Sequence, residues 1–353
     1  MRLCIISRWN ASCGVSLHAE LLGREFIKRG YDVRVIAPTL ESANKDWHHI
    51  IVSIKDEDWV YRCYEESSNG YGMVNEECIE SVRCESILVE FYGRIPYISL
   101  GKLLRKLRKD SKITVVVHST TLEEVKGLIM IPYDTIVVFD ERYINELLSK
   151  IGISRENISV IPYPCVENVD VKPYRPDFAH DKILFFSFGR QPSDEYKDFI
   201  EALSRLRSRY DLMYWIIRSG NELRDLRYEW IVQWKKKLSL SQIFSYLRGS
   251  DIHLLPKSKG YKGKVVISST VYQTIASLTP IVTIDGRYVE AIPTDEHGIG
   301  AIVKYKNVND LVHKLVMLIE DDKLRNYVVN KAKEFVKKHC VSRIADVYTK
   351  LIR

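Results

Sequence analysis

The sequence predicts an α/β protein made of two doubly wound, Rossmann-like halves. Three observations lead there. Short Val/Ile-rich runs alternate with amphipathic helical stretches from the first residues onward, the pattern of parallel strands covered on both faces. Pro162, Pro164, Pro173 and Pro176 then cluster, which marks the best linker in the chain. Beyond them the alternation restarts. A chain of 353 residues that is 46% apolar is large enough to give each half its own core. The expected domains are 1–168 and 169–335, with a closing helix over 336–353 as a candidate to pack back on the first half.

Each element has its own signal. RLCIISRW (2–9) reads as a buried strand. VSLHAELLGREFIKRG (15–30) reads as a helix, with Val15, Ala19, Leu22 and Phe26 on one stripe and Gly30 closing it. DVRVIAP (32–38) and HHIIVSI (48–54) read as strands, whereas 55–85 is polar, aromatic and patternless, with a loop at Asn69-Gly70. SILVEFY (86–92), KITVVVHS (112–119), DTIVVFD (134–140) and ISVIPYP (158–164) are strands, and ISLGKLLRKLRKD (98–110) and ERYINELLSKIG (141–152) are helices. In the second half, strands are expected at ILFFSFG (183–189), 213–219, 252–257, 281–285 and 298–305. Helices are expected at 194–208, 239–249, near 266–278, and after Asn307 and Asp321.

Composition excludes several classes. No apolar run approaches the ~18 residues of a membrane span, and MRLCIISRW reads directly as a strand, so no secretory leader is expected. Seven cysteines lie scattered, without CxxC or zinc spacing. An odd, scattered set fits reduced intracellular thiols, so a cytoplasmic setting is expected. The net charge of +7 is spread along the chain, which suits a phosphorylated ligand or an anionic surface better than nucleic acid. In 98–110, Leu100, Leu103, Leu104 and Leu107 form a stripe among five cations. The stripe is either a core-facing face or a peripheral contact to a membrane surface.

The most informative stretch is ILFFSFGRQPSDEYK (183–197). A buried strand delivers Gly189, Arg190 and Lys197 to the start of a helix. Glycine permits close backbone approach, two cations neutralise charge, and the helix terminus adds its dipole. That is the chemistry of a diphosphate clamp. Gly14 likewise precedes a helix, without the GxGxxG of a dinucleotide site. His118 ends an apolar strand. Ser268, Ser269 and Thr270 precede a helix, either to cap it or to help hold a phosphate. No DxD stands beside a strand.

These pieces resemble the retaining GT-B glycosyltransferases of family 4 over almost the whole chain. CGVSLHAELLGREFIKRGYDVRVIAP is similar to the family's glycine loop, first helix and second strand, and VVVHS to its histidine-ended strand. FGRQPSDEYKDFIEAL is similar to its GR…K donor segment, and TIASLTPIVTIDGRYVEAI to the end of its signature motif. The resemblance implies two Rossmann-like domains facing a central cleft, acceptor in the first half and nucleotide-sugar donor in the second. It implies a metal-independent sugar transfer with no cofactor. The acceptor is a glycan, a lipid-linked glycan or a small molecule.

Residue by residue, the resemblance assigns the donor diphosphate to Gly14, Gly189, Arg190 and Lys197, and the transferred sugar to His118. Thr270 joins the donor site, Gln273 orients the ribose, and Glu290 lies near the donor sugar. Arg190, Lys197 and His118 are the catalytic set, and no metal ligand is expected. The family's signature has two glutamates eight positions apart, and here it is altered. The second becomes Gln273, and the first falls on Val265 or Lys259, with Leu278 and Cys13 in place of glycines. An amide still bonds a ribose hydroxyl, but neither valine nor lysine replaces an accepting carboxylate. This departure leaves two other readings: a GT-B protein that binds glycan or partner without catalysis, and a sugar-nucleotide epimerase, which needs acid/base carboxylates.

Overall fold

The computed structural model describes residues 1–45, 55–167, 169–223 and 226–352. The chain divides into two compact units. The first holds Met1–Pro164, Tyr261–Ser269 and His339–Arg353, and the second holds Cys165–Gly260 and Thr270–Lys338. Tyr261–Ser269 thus groups with the first unit, away from the 169–335 domain in which it was expected to lie.

The first unit runs β1 (Arg2–Ile6), α1 (Gly14–Lys28), β2 (Asp32–Pro38), α2 (Leu40–Asn44), β3 (Val60–Tyr64), α3 (Glu76–Val82), β4 (Ser86–Phe91), α4 (Tyr97–Leu107), β5 (Lys112–Val117), α5 (Leu122–Val125), β6 (Thr135–Val138), α6 (Glu141–Glu146) and β7 (Ile158–Val160). Its seven strands are all parallel, in the order β3-β2-β1-β4-β5-β6-β7. The order reverses between β1 and β4, and a crevice opens at such a switch point beyond the strand C-termini. Leu3, Ile5, Leu88, Val89, Val115 and Val116 are fully buried. These continuous apolar runs are what a sheet covered on both faces requires.

The second unit runs β8 (Ile183–Gly189), α7 (Lys197–Leu206), β9 (Leu212–Arg218), β10 (Ile231–Lys235), α8 (Leu240–Arg248), β11 (Ile252–Leu254), α9 (Ser269–Thr274), β12 (Ile281–Ile284), β13 (Val303–Tyr305), α10 (Val308–Glu320) and α11 (Asp322–His339). Its six strands are also parallel, ordered β10-β9-β8-β11-β12-β13 with the reversal between β8 and β11. Its core centres on Trp215, Phe186, Tyr246 and Trp234, with Trp215 4.7 to 4.9 Å from the other three rings. The last helix, α12 (Val341–Ile352), belongs to the first unit and buries Ile344, Ala345, Tyr348 and Ile352 there.

Several expectations change. The strand at 48–54 lies outside the described residues. The patternless 55–85 contains β3 and α3, and β10 carried no expectation. The strand at 298–305 shrinks to β13, and the helices at 141–152 and 266–278 each break into a short α-helix and a 3-10 turn. Leu100, Leu103 and Leu104 are fully buried, so the stripe of α4 serves the core and not a lipid surface. No helix among the described residues is long and apolar enough to cross a membrane.

The thiol expectation is corrected. Cys4–Cys84 and Cys63–Cys78 are disulfides with Cα separations of 5.6 and 5.8 Å, both within the usual range. Sheet order is the reason. Beside β1 lies β4, with Leu3 opposite Ser86, so Cys84 arrives next to Cys4 across 80 residues of sequence. Cys13, Cys165 and Cys340 form no disulfide among the described residues.

Candidate functional site

In the first unit the functional side chains gather at the C-terminal ends of β1, β4 and β5. Strand β1 leads into Arg8, which is fully buried and pairs with Glu66 at 2.7 Å. Arg8 Nη2 also donates to the Ala43 carbonyl at 2.6 Å, and the Tyr92 hydroxyl donates to Glu66 at 2.8 Å. A buried charge persists only when paired and hydrogen-bonded in this way. The network braces the loop from which α1 starts. Gly14 opens α1 after Cys13, whose extended backbone leads into the helix. The Gly14 carbonyl accepts from the Tyr163 hydroxyl at 2.7 Å. A Cβ on Gly14 would lie 3.1 Å from both Cβ and Oγ of Ser269, so this close approach favours glycine.

Beside that loop sits a buried His–Glu–His cluster. His118 follows β5 and its Nε2 donates to Glu90 Oε2 at 2.5 Å. His18, on α1, donates from Nδ1 to Glu90 Oε1 at 2.8 Å, and its Nε2 lies 3.4 Å from the Tyr348 hydroxyl of α12. Glu90 and His18 are sealed, and the His118 side chain keeps 7% of its surface. Phe139 and Tyr163 close around the rings. Burial alone would raise the Glu90 carboxyl, but the two imidazoles opposite it hold it down at about 2. Burial also pulls His118 below its usual value, against the pull of Glu90. With both carboxylate oxygens occupied, His118 holds its proton on Nε2 and leaves Nδ1 as the nitrogen able to accept from a hydroxyl.

The three residues offer ligand atoms within 4.8 Å of one another. Here two hydrogen bonds already use both carboxylate oxygens, so a cation would have to displace both. The residue types suit a metal, and the arrangement they hold is that of a proton-linked triad.

In the second unit, Gly189 ends β8 at the switch point with φ +135°. The dihedral requires glycine; a Cβ there would meet only the end of the Gln191 side chain, which can swing aside. Arg190 follows, half-buried, and Lys197 opens α7 with its amide on the Asp194 carbonyl and its side chain exposed, without a hydrogen bond or ion pair among the described residues. Tyr196, the residue before it, caps α7 with no side-chain hydrogen bond. Gly189, Arg190 and Lys197 thus share one strand-to-helix loop. Thr270 and Gln273 share α9, both half-buried. Glu290 is exposed and receives Arg287 Nη1 at 2.6 Å. At the altered signature, Val265 is buried with its amide on the Thr120 carbonyl, and Lys259 is exposed.

Sequence reasoning missed Glu90, Arg8, Glu66 and Arg218. For Glu90, Arg8 and Arg218 the available signal was an ionisable residue within or at the end of an apolar strand run, as in SILVEFY, RLCIISRW and LMYWIIR; Glu66 lies in a polar stretch that gave no signal. Such a group cannot be solvated and must have a partner.

Solved structures match this architecture over the entire chain. Anabaena Alr3699/HepE, solved with UDP and glucose, superposes with a TM-score of 0.66 at 11% identity, over 99% of this chain and 98% of its own. The pneumococcal O-GlcNAc transferase GtfA, solved with UDP and GlcNAc, gives 0.68 at 13% identity, over 100% and 98%. The lipopolysaccharide outer core galactosyltransferase WaaB, in its apo form, gives 0.62 at 13%, over 100% and 99%. The fold is GT-B. No family model matches the sequence. At such identities the likeness carries the architecture, and the chemistry rests on this chain's residues.

Proposed function

We propose that this protein is a glycosyltransferase that takes a sugar from a nucleoside-diphosphate donor. The second unit binds the donor and the first presents the acceptor hydroxyl. The observation that carries this reading is the Gly189–Arg190–Lys197 loop: a positive-φ glycine at the β8–β11 switch point, Arg190 next to it, and a lysine whose side chain is unpaired among the described residues. These features favour a dianion. Structures of the same fold that hold UDP and a sugar support the choice of ligand.

In this mechanism Arg190 and Lys197 stabilise charge as it develops on the leaving diphosphate. The acceptor oxygen bonds to the anomeric carbon as the bond from that carbon to the phosphate oxygen breaks. In the retaining form, as in family 4, the departing phosphate oxygen takes the acceptor proton on the same face. Gln273 orients the ribose, and His118 places the sugar through Nδ1. The cations carry the leaving group, so the reaction proceeds without a divalent metal. Glycan or lipid-linked glycan is the acceptor class.

One observation favours a second reading of the same chemistry. Glu90 fixes the tautomer of His118 at 2.5 Å, the geometry of a carboxylate-backed general base. A base that takes the acceptor proton permits attack from the opposite face and inversion. The anomeric configuration of the first product, read by proton NMR before mutarotation, separates the two. Failure to turn over any common nucleotide sugar, with UDP still bound, would favour a binding protein without catalysis.

A further inference from the structure

Arg218 closes β9 as the Cα partner of Gly189, side by side with the glycine crest. It is only 8% exposed. Its Nε and Nη1 are buried and have no hydrogen-bond partner among the described residues. The guanidinium carbon lies 5.9 Å from the ring centroid of Tyr196, the residue that caps α7. The Tyr196 hydroxyl bonds Gln191 at 3.4 Å, and Glu195 is the carboxylate that acts on the same ring. A guanidinium cannot discard its charge, and a buried cation without a carboxylate is disfavoured against an apolar side chain of the same volume. The six residues of β9 before it are all apolar and buried, so an apolar residue would have fitted the strand.

We propose that Arg218 is the inner anchor of a phosphate-binding pocket, formed with the Gly189 backbone and the side chains of Arg190 and Lys197 on the loop that follows it. Its ligand is the diphosphate of the donor, so the inference rests on the reading of the second unit as the donor unit. Arg190 and Lys197 supply charge from the loop, while Arg218 supplies a planar fork, the shape that grips phosphate oxygens in pairs. No residue of the second unit's resemblance to family 4 covers this position.

The test uses the whole protein with three probes, UDP, inorganic pyrophosphate and uridine, each read by calorimetry and by thermal shift. The variants are Arg218→Met and Arg218→Lys. Arg218→Met is expected to melt at or above the wild-type temperature without ligand, because an unpaired buried charge has gone. Its affinity for UDP and pyrophosphate is expected to fall roughly 10- to 100-fold, with uridine unaffected. A variant that melts lower and binds both anions as wild type does would make Arg218 structural and overturn the proposal. If Arg218→Met fails to fold, Arg218→Lys decides: it keeps charge and stem but loses the fork, and undiminished pyrophosphate affinity overturns the proposal. A wild type that binds pyrophosphate but not UDP would sink the donor reading and leave the anion pocket standing. A wild type that binds neither would overturn the pocket itself.

Discussion

Glu90 on β4 holds His118 at 2.5 Å and His18 at 2.8 Å, one imidazole on each carboxylate oxygen. A strand residue therefore sets the tautomer of the histidine whose outer nitrogen faces the acceptor in the proposed reaction. Through His18 the same carboxylate reaches the Tyr348 hydroxyl of α12. Removal of His118 should thus affect catalysis, and removal of Glu90 should affect catalysis and folding together. His118→Ala is expected to lower kcat on the order of 100-fold while UDP affinity stays unchanged. Glu90→Ala leaves two buried imidazoles unpaired and should cost about 3–5 kcal/mol, read from urea midpoints. A Glu90→Ala protein as stable as wild type would refute the buried triad.

Acid should weaken the first unit in two steps of the same sign. His118 is pulled below its unfolded value by burial, so below about pH 6.5 the unfolded chain binds the proton first and stability falls. Glu90 titrates at about 2, under the unfolded glutamate near 4.3. Its contribution is complete above that value and is lost as pH drops toward 2. Urea midpoints at pH 7, 5 and 3 should decline throughout, and a flat profile would contradict the assigned protonation.

Two disulfides tie the N-terminal sheet. Thiol titration in denaturant without reductant should find three free cysteines, and seven would show that the bridges are absent. Reduction should lower the melting temperature. Closing an 80-residue separation constrains the unfolded chain more than closing 15, and the shorter loop alone is worth about 3 kcal/mol. Cys4→Ser should therefore lower the melting temperature more than Cys78→Ser.

The proposed diphosphate loop has its own test. Lys197 is exposed and unpaired among the described residues, so Lys197→Ala should leave the ligand-free melting temperature within about 1 °C, because surface substitutions change stability by less than about 0.5 kcal/mol. The upward shift with saturating UDP, which follows from mass action, should shrink in Lys197→Ala and vanish in the Arg190→Ala/Lys197→Ala double variant. A full shift in the double variant would place the nucleotide elsewhere. Addition of EDTA should leave transfer unchanged if these cations act in place of a metal.

Most of the scaffold was legible in the sequence because parallel strands buried on both faces must be continuously apolar. RLCII, SILVEF, KITVVV and ILFFSFG needed no partner to be recognised. Edge elements were not legible. Strand β3 (VYRCY) and β10 (IVQWK) sit at sheet edges, where they are only partly covered and their mixed composition hides the pattern. Segment 298–305 is apolar enough for a strand, yet Gly298 adopts φ +76° and the ladder begins only at Val303.

By itself the sequence determined the two α/β units and the glycine at 189 on which the proposed donor loop is built. These are local properties: hydrophobic period, turn chemistry and the residue at a helix start. Only the tertiary structure decided which ionisable groups meet. Glu90 finds His18 and His118, Arg8 finds Glu66, Cys4 finds Cys84, and Arg218 finds no acid among the described residues. Such pairings are set by strand order and register, which bring residues together across tens to hundreds of positions, and a one-dimensional pattern holds no record of that distance.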